Sequence, residues 1–156
     1  MKTDDIRIEP CAPLDLNDWV ALRLALWPQE SIDDLRAQAS GLIDRGADAV
    51  NFLARGGDGA AIGFAEATLR RDYVNGCATS PVAFVEGLYV APPWRGRGLA
   101  RRLCAAIERW ARDLGCTELG SDTYLENVAS QRMHEALGFE EMERVVCYRK
   151  VLTTGT

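Results

Sequence analysis

The sequence has a single histidine, His134, and its five cysteines (Cys11, Cys77, Cys104, Cys116 and Cys147) are scattered, odd in number and never spaced as Cys-x-x-Cys. A disulfide framework or a zinc site is therefore not expected, no metal is called for, and a reducing cytoplasm fits. There is no Gly-Lys-Ser/Thr run, which excludes a Walker phosphate loop. A dinucleotide fingerprint would need a third glycine near Arg101, and none is there. No apolar run approaches the roughly 20 residues that span a bilayer, so no membrane partner is expected. The start, Met1-Lys2-Thr3-Asp4-Asp5, lacks the apolar centre of a signal peptide. Positive charge is also in deficit. A net charge of −5 makes nucleic acid a poor partner and a cationic small molecule a better one.

What is present suits one packed domain. The chain has 156 residues, 47 % of them hydrophobic, enough for a sizeable core. We expect a single domain over residues 1–152, with 153–156 as a frayed tail.

The chain is organised around residues 84–110. Val82, Phe84, Val85, Leu88, Tyr89 and Val90 suit a buried strand, which Pro92 and Pro93 end. Leu99, Leu103, Ile107, Trp110 and Leu114 then recur at helical spacing, with Gly115 as a stop. Between strand and helix lies Arg95-Gly96-Arg97-Gly98-Leu99-Ala100. Gly96 and Gly98 let backbone approach a ligand closely. The following helix start carries unpaired N–H groups and partial positive charge, and Arg95 and Arg97 add cations. Such a turn binds phosphate.

The remaining elements are read from pattern. Ile6 and Ile8 alternate with polar residues in a first strand. Asp15 is a candidate N-cap for a helix carrying Trp19, Leu22, Leu26 and Trp27, broken by Pro28. Ser31 and Asp34 open a second helix. Residues 51–55 and 60–69 form a hairpin about a glycine-rich turn. Residues 71–81 are a loop long enough to suggest function. Residues 118–123 form a fifth strand, 127–137 a short helix, and Val145–Tyr148 a last strand. The order β-α-α-β-β-β-α-β-α-β gives an α/β (α+β) fold, a mixed central sheet flanked by helices.

Arg95-x-x-Gly98-x-Ala100 resembles the acetyl-CoA pyrophosphate loop of the GNAT N-acetyltransferase superfamily, whose pattern is Gln/Arg-x-x-Gly-x-Gly/Ala. The element order is also that of the GNAT acyl-CoA N-acyltransferase fold. Further segments resemble the chromosomal bacterial group of aminoglycoside 6'-N-acetyltransferases: Leu26-Trp27-Pro28, Ala61-Ile62-Gly63-Phe64-Ala65, Arg71-Asp72-Tyr73-Val74-Asn75-Gly76-Cys77, Glu86-Gly87, Ser121-Asp122-Thr123, Glu126-Asn127 and Ala136-Leu137-Gly138-Phe139-Glu140-Glu141.

The resemblance implies an enzyme that moves the acetyl group of acetyl-CoA to the 6'-amine of an aminoglycoside, directly within a ternary complex. It implies that Leu88, Tyr89 and Val90 hold the pantetheine and thioester through backbone groups. Arg95, Gly96, Arg97, Gly98, Leu99 and Ala100 would hold the pyrophosphate, and Asn127 the pantetheine arm. Asn127 reads equally as a helix N-cap. Glu86 and Asp122 are the candidate catalytic acids, able to cradle a cationic amine and accept its proton; which one is the base stays open. Trp27, Tyr73 and Glu143 correspond to aminoglycoside-contacting positions, although Trp27 would also suit a core and Glu143 an ordinary surface. Where many GNAT enzymes carry a tyrosine that protonates the leaving thiolate, this chain has His134, which could donate that proton or simply pack. The group is often dimeric, and the C-terminal strand could mediate a homodimer. A GNAT enzyme of polyamines or protein N-termini, and a non-catalytic acyl-CoA-binding module, are the alternatives.

Overall fold

The structure, a computed structural model, describes residues 5–155; the first four residues and Thr156, the end of the expected tail, lie outside it. Alternation brings Arg7–Pro10 into a first strand, β1. The helix α1 spans Leu16–Leu26 and α2 spans Ile32–Asp44. Ser31 caps α2 as its sequence suggests, its hydroxyl accepting the Asp34 N–H at 3.1 Å. Asp15 stands at the N-cap of α1, but its carboxylate is drawn elsewhere. It accepts the Ala12 N–H at 2.8 Å and pairs with Arg55 at 2.7 Å.

Strands β2 (Ala49–Arg55), β3 (Ala61–Arg70) and β4 (Val82–Val90) follow, then α3 (Leu99–Asp113), a short β5 (Leu119–Gly120) and α4 (Val128–Ala136). The sheet order is β1-β2-β3-β4-β5. Neighbours are antiparallel except β4 and β5, which are parallel and so require the crossover that α3 supplies. Alternate residues of the central strands face opposite layers. Leu53 and Phe64 pack under α1 and α2 with Trp19, Val20 and Leu35. Ala54, Ala65, Val85 and Val90 pack under Leu99, Leu103 and Ile107 of α3. Both faces of β3 are covered, which accounts for its almost unbroken apolar run. Trp94 and Trp110 lie against the α3-side core.

Two expected strands differ. Residues 118–123 pair with β4 only at Ala83–Leu119 and Phe84–Gly120. A β-bulge begins in β4 just past that point, and a bulge bends its strand and ends pairing. Val145–Tyr148 is not a strand: residues 139–155 carry no regular structure. Its side chains are exposed, Val146 at 75 % and Tyr148 at 91 %. A segment with strand propensity needs an edge to pair with, and among the described residues no strand pairs with it.

Candidate active site

The register between β3 and β4 builds the centre of the site. Glu66 faces Gly87, yet Ala67 faces Val85, so Glu86 is the extra residue of the bulge. Phe84 shares a face with Thr68, and period-two alternation puts Glu86 on that same face. Gly87 is also there, through its pairing with Glu66. The bulge thus presents two successive residues to the α1–α2 layer. Position 87 has no room for a side chain: a Cβ would lie 2.8 Å from Cη2 of Trp27 and 3.3 Å from Phe64. Trp27, at the C-terminal end of α1, therefore packs its six-membered ring against Gly87 and meets Phe64 in a T-shaped contact, ring centroids 6.2 Å apart.

Trp27 and Glu86 border a cavity of about 490 Å³ between the β3–β4 surface and the face of α2 that carries Gln38, Gly41, Leu42 and Arg45. Those four positions have the i, i+3, i+4, i+7 spacing of one helical face. Oε1 of Glu86 accepts from the Thr68 hydroxyl at 2.6 Å and from the Arg70 guanidinium at 2.9 Å. Arg70 is itself held 3.6 Å above the Phe84 ring.

Beneath these groups lies a charged floor that sequence reasoning missed. Arg23 and Glu66 form an ion pair with side chains 3 % and 1 % exposed. Glu66 also accepts from the Trp19 indole at 3.0 Å, and Arg23 reaches the Gln38 amide oxygen. The Arg23 guanidinium lies 4.8 Å from the Trp27 ring centre. Burial pushes the Glu66 carboxyl above its ordinary range, against the pull of Arg23. A signal for this floor was present in the sequence. Glu66 is the one charge within the apolar run Ala61–Leu69, and Arg23 falls among the apolar residues of α1. Charges in such places are rarely left buried without a partner.

The second half of the site is the turn after β4. Beyond Phe84 no strand among the described residues pairs with the β5-side edge of β4, so backbone groups of Leu88, Tyr89 and Val90 on that edge are open to a ligand. Gly96 and Gly98 take left-handed φ of 75° and 77°, a conformation that favours glycine. A Cβ at either would meet nothing within 4 Å, so the space in front of the loop is open. The helix α3 begins directly after Gly98, with the Arg102 N–H bonding back to the Gly98 carbonyl. The N–H groups of Leu99 and Ala100 thus precede the first helical bond and lack intrahelical partners. This cradle fits a pyrophosphate. Arg97 rests on Trp94, 5.1 Å from the ring centre. Arg95 folds back: its Nε donates to the Val90 carbonyl at 2.8 Å and its guanidinium lies over Tyr89. That bond takes up one of the backbone groups expected to hold pantetheine.

The other expected residues fall outside the cavity. Asp122 follows β5 and is exposed, and among the described residues it makes no hydrogen bond to Glu86. The Tyr73 hydroxyl reaches Glu143 at 3.5 Å. Tyr73 is 77 % exposed, on a loop tied down by Glu118, which accepts the Ala78 and Thr79 N–H groups at 2.9 and 2.7 Å. Asn127 caps α4, its side-chain oxygen accepting the Ser130 N–H at 3.1 Å. His134 Nδ1 donates to the Ser130 carbonyl at 2.7 Å, so Nε2 accepts from the Ser121 hydroxyl, also at 2.7 Å. The imidazole thus ties α4 to the end of β5, edge-on to Phe139.

Comparison with known proteins agrees with this geometry. The sequence model of the Acetyltransferase (GNAT) family matches residues 14–139. Aminoglycoside N(6')-acetyltransferase type 1 of Serratia marcescens is 52 % identical over 142 residues, covering 91 % of this chain and 97 % of that one. The enzyme of the same name from Acinetobacter baumannii is 43 % identical, covering 93 % and 98 %. Among solved structures, AAC(6')-Iy in complex with the bisubstrate analog CoA-S-monomethyl-acetylneamine superposes with a TM-score of 0.88 at 46 % identity, over 94 % of this chain and 99 % of that one.

Proposed function

The chain belongs to the acetyltransferase (GNAT) family, and from that premise we propose that it transfers the acetyl group of acetyl-CoA to the 6'-amine of aminoglycosides, by direct attack within a ternary complex. The observation that carries the reading is the Glu86–Gly87 bulge, which holds a carboxylate beside the Trp27 ring at the wall of an open cavity. The names of relatives covered along almost their whole length support the substrate class.

Acetyl-CoA supplies the acyl group on a thioester. The turn from Arg95 to Ala100 holds its pyrophosphate through free N–H groups, the α3 dipole and Arg97. A backbone N–H of Leu88, Tyr89 or Val90 polarises the thioester carbonyl as charge develops there. An alkylamine of pKa about 10 arrives protonated and must give up its proton, which Glu86 accepts directly or through water. Trp27 offers an aromatic face to the sugar and its ammonium groups. Asp122, Tyr73 and Glu143 bind the more distant amines of the acceptor, and Asn127 reaches the pantetheine arm through the amide nitrogen that its cap does not use. His134 is a packing residue in this scheme. The thiolate leaves unassisted, a thiol of pKa about 8.5 being a tolerable leaving group.

The same proposal includes a homodimer in which the apolar, exposed residues Val145, Val146, Tyr148 and Val151 pair with a second copy. It also places the enzyme in the cytoplasm, where its five free thiols stay reduced.

The test is release of CoA thiol. An aminoglycoside with a 6'-amine should give saturable release, and its 6'-hydroxyl counterpart should not. Faster turnover of spermidine or of a peptide N-terminus would overturn the aminoglycoside reading. Binding of acetyl-CoA with no release to any amine would leave an acyl-CoA-binding module.

A further inference from the structure

Glu86 is held by two residues that no comparison singles out. Glu66, Thr68 and Arg70 lie two apart along β3, so all three face the α1–α2 layer. Thr68 is 1 % exposed, and its hydroxyl points at Glu86 Oε1. Valine would fill the same volume there without a polar atom to satisfy. Arg70 approaches the same oxygen from the Phe84 side, its guanidinium spread over that ring. Both bonds converge on Oε1, and among the described residues Oε2 accepts none.

We infer that Thr68 and Arg70 are positioning residues which lock Glu86 through Oε1 so that Oε2 is the oxygen presented to the acceptor amine. The inference rests on the proposed role of Glu86 as proton acceptor. Its physical basis is geometric. The Glu86 carboxylate can turn about three side-chain bonds, and two donors on one oxygen remove that freedom before substrate arrives. A base misplaced by an ångström loses rate even when its charge is intact. A cation beside Glu86 invites another reading, in which Arg70 holds the place of the substrate ammonium and is displaced by it. The two readings differ in sign.

Steady-state kinetics of the full chain with acetyl-CoA and a 6'-amino aminoglycoside separates them. Thr68→Val and Arg70→Met should each lower kcat by about 10- to 100-fold, with acetyl-CoA KM unchanged. Thr68→Ser and Arg70→Lys, which keep a donor, should recover most of the loss. In a Glu86→Gln background neither substitution should cost anything more, because each acts through that carboxylate. A lower acceptor KM in Arg70→Met with kcat intact would identify a displaced placeholder and overturn the inference. So would equal losses with and without Glu86→Gln, the mark of a scaffold effect; unchanged thermal unfolding checks the fold of each variant. If Glu86→Gln alone is impaired while the Thr68 and Arg70 variants are not, positioning fails and the base assignment stands. If Glu86→Gln itself changes neither kcat nor KM, the base assignment fails first and takes positioning with it.

Discussion

At the scale of single residues, the division of labour between Glu86 and Asp122 is the sharpest question. Glu86→Gln keeps the shape and removes the charge. If Glu86 accepts the proton, kcat should fall by about 10²–10⁴; a rise in KM with kcat unmoved would mark it as an anchor only. Asp122→Asn is the matched control. Because Asp122 is exposed and outside the cavity, we expect it to act mainly on acceptor KM. The Arg23–Glu66 pair is a different case. Removing one partner strands a buried charge, so Arg23→Met should cost roughly 3–5 kcal/mol of stability in urea unfolding, and the double substitution Arg23→Met with Glu66→Met much less. Equal losses in the single and double variants would contradict the pairing. Glu86 was a candidate in the sequence through the resemblance carried by Glu86-Gly87. Arg23, Gln38 and Thr68 were not, because what makes them matter is the company they keep across α1, α2 and β3.

At the scale of elements, the α3 N-terminus carries the cofactor half. Gly98→Asp would set an anion where the pyrophosphate belongs, in a residue type that tolerates positive φ better than most. Acetyl-CoA binding measured by calorimetry should weaken by ~2 kcal/mol or more. Unchanged affinity in the folded variant would refute the loop assignment. The start of α1 offers a test in pH. The Ala12 N–H, and then Arg55, hold the Asp15 carboxyl below its ordinary value of 3.8. A carboxyl depressed on folding stabilises the protein above its unfolded pKa, and that contribution is lost as pH falls through the folded value. Asp15→Asn should therefore cost roughly 1 kcal/mol at pH 7, and the gap to the parent protein should close as pH drops below 3.8. A gap that persists undiminished in acid would mean that shape rather than charge holds the α1 start.

At the scale of the molecule, the net charge of −5 bears on how a polycation finds the cavity. Glu30, Glu66 and Glu86 line it with Arg23 and Arg45, and Arg70 pairs with Glu86, so the attraction comes from the charge of the whole molecule more than from the lining. Screening should weaken the attraction, so added salt should raise the acceptor KM more than the acetyl-CoA KM. Equal or opposite shifts in a salt titration would count against this attraction. Among the described residues no helix is long and apolar enough to cross a membrane.

By itself the sequence determined the local facts. The 3.6-residue stripe of α3, the Ser31 cap, the glycine hairpin, the largely apolar strand β4 and the basic turn after it are all written in near neighbours, where propensity and spacing act directly. The tertiary structure alone decided the rest. Bulge register depends on how two strands slip past one another, and it turned Glu86 and Gly87 onto one face. The early end of β5 depends on that same bulge. The loss of Val145–Tyr148 as a strand depends on whether an edge lies beside it, which no local pattern encodes. Pairings such as Arg23 with Glu66, 43 residues apart, arise only once the chain has closed, because burial is a property of the packed molecule and not of the segment.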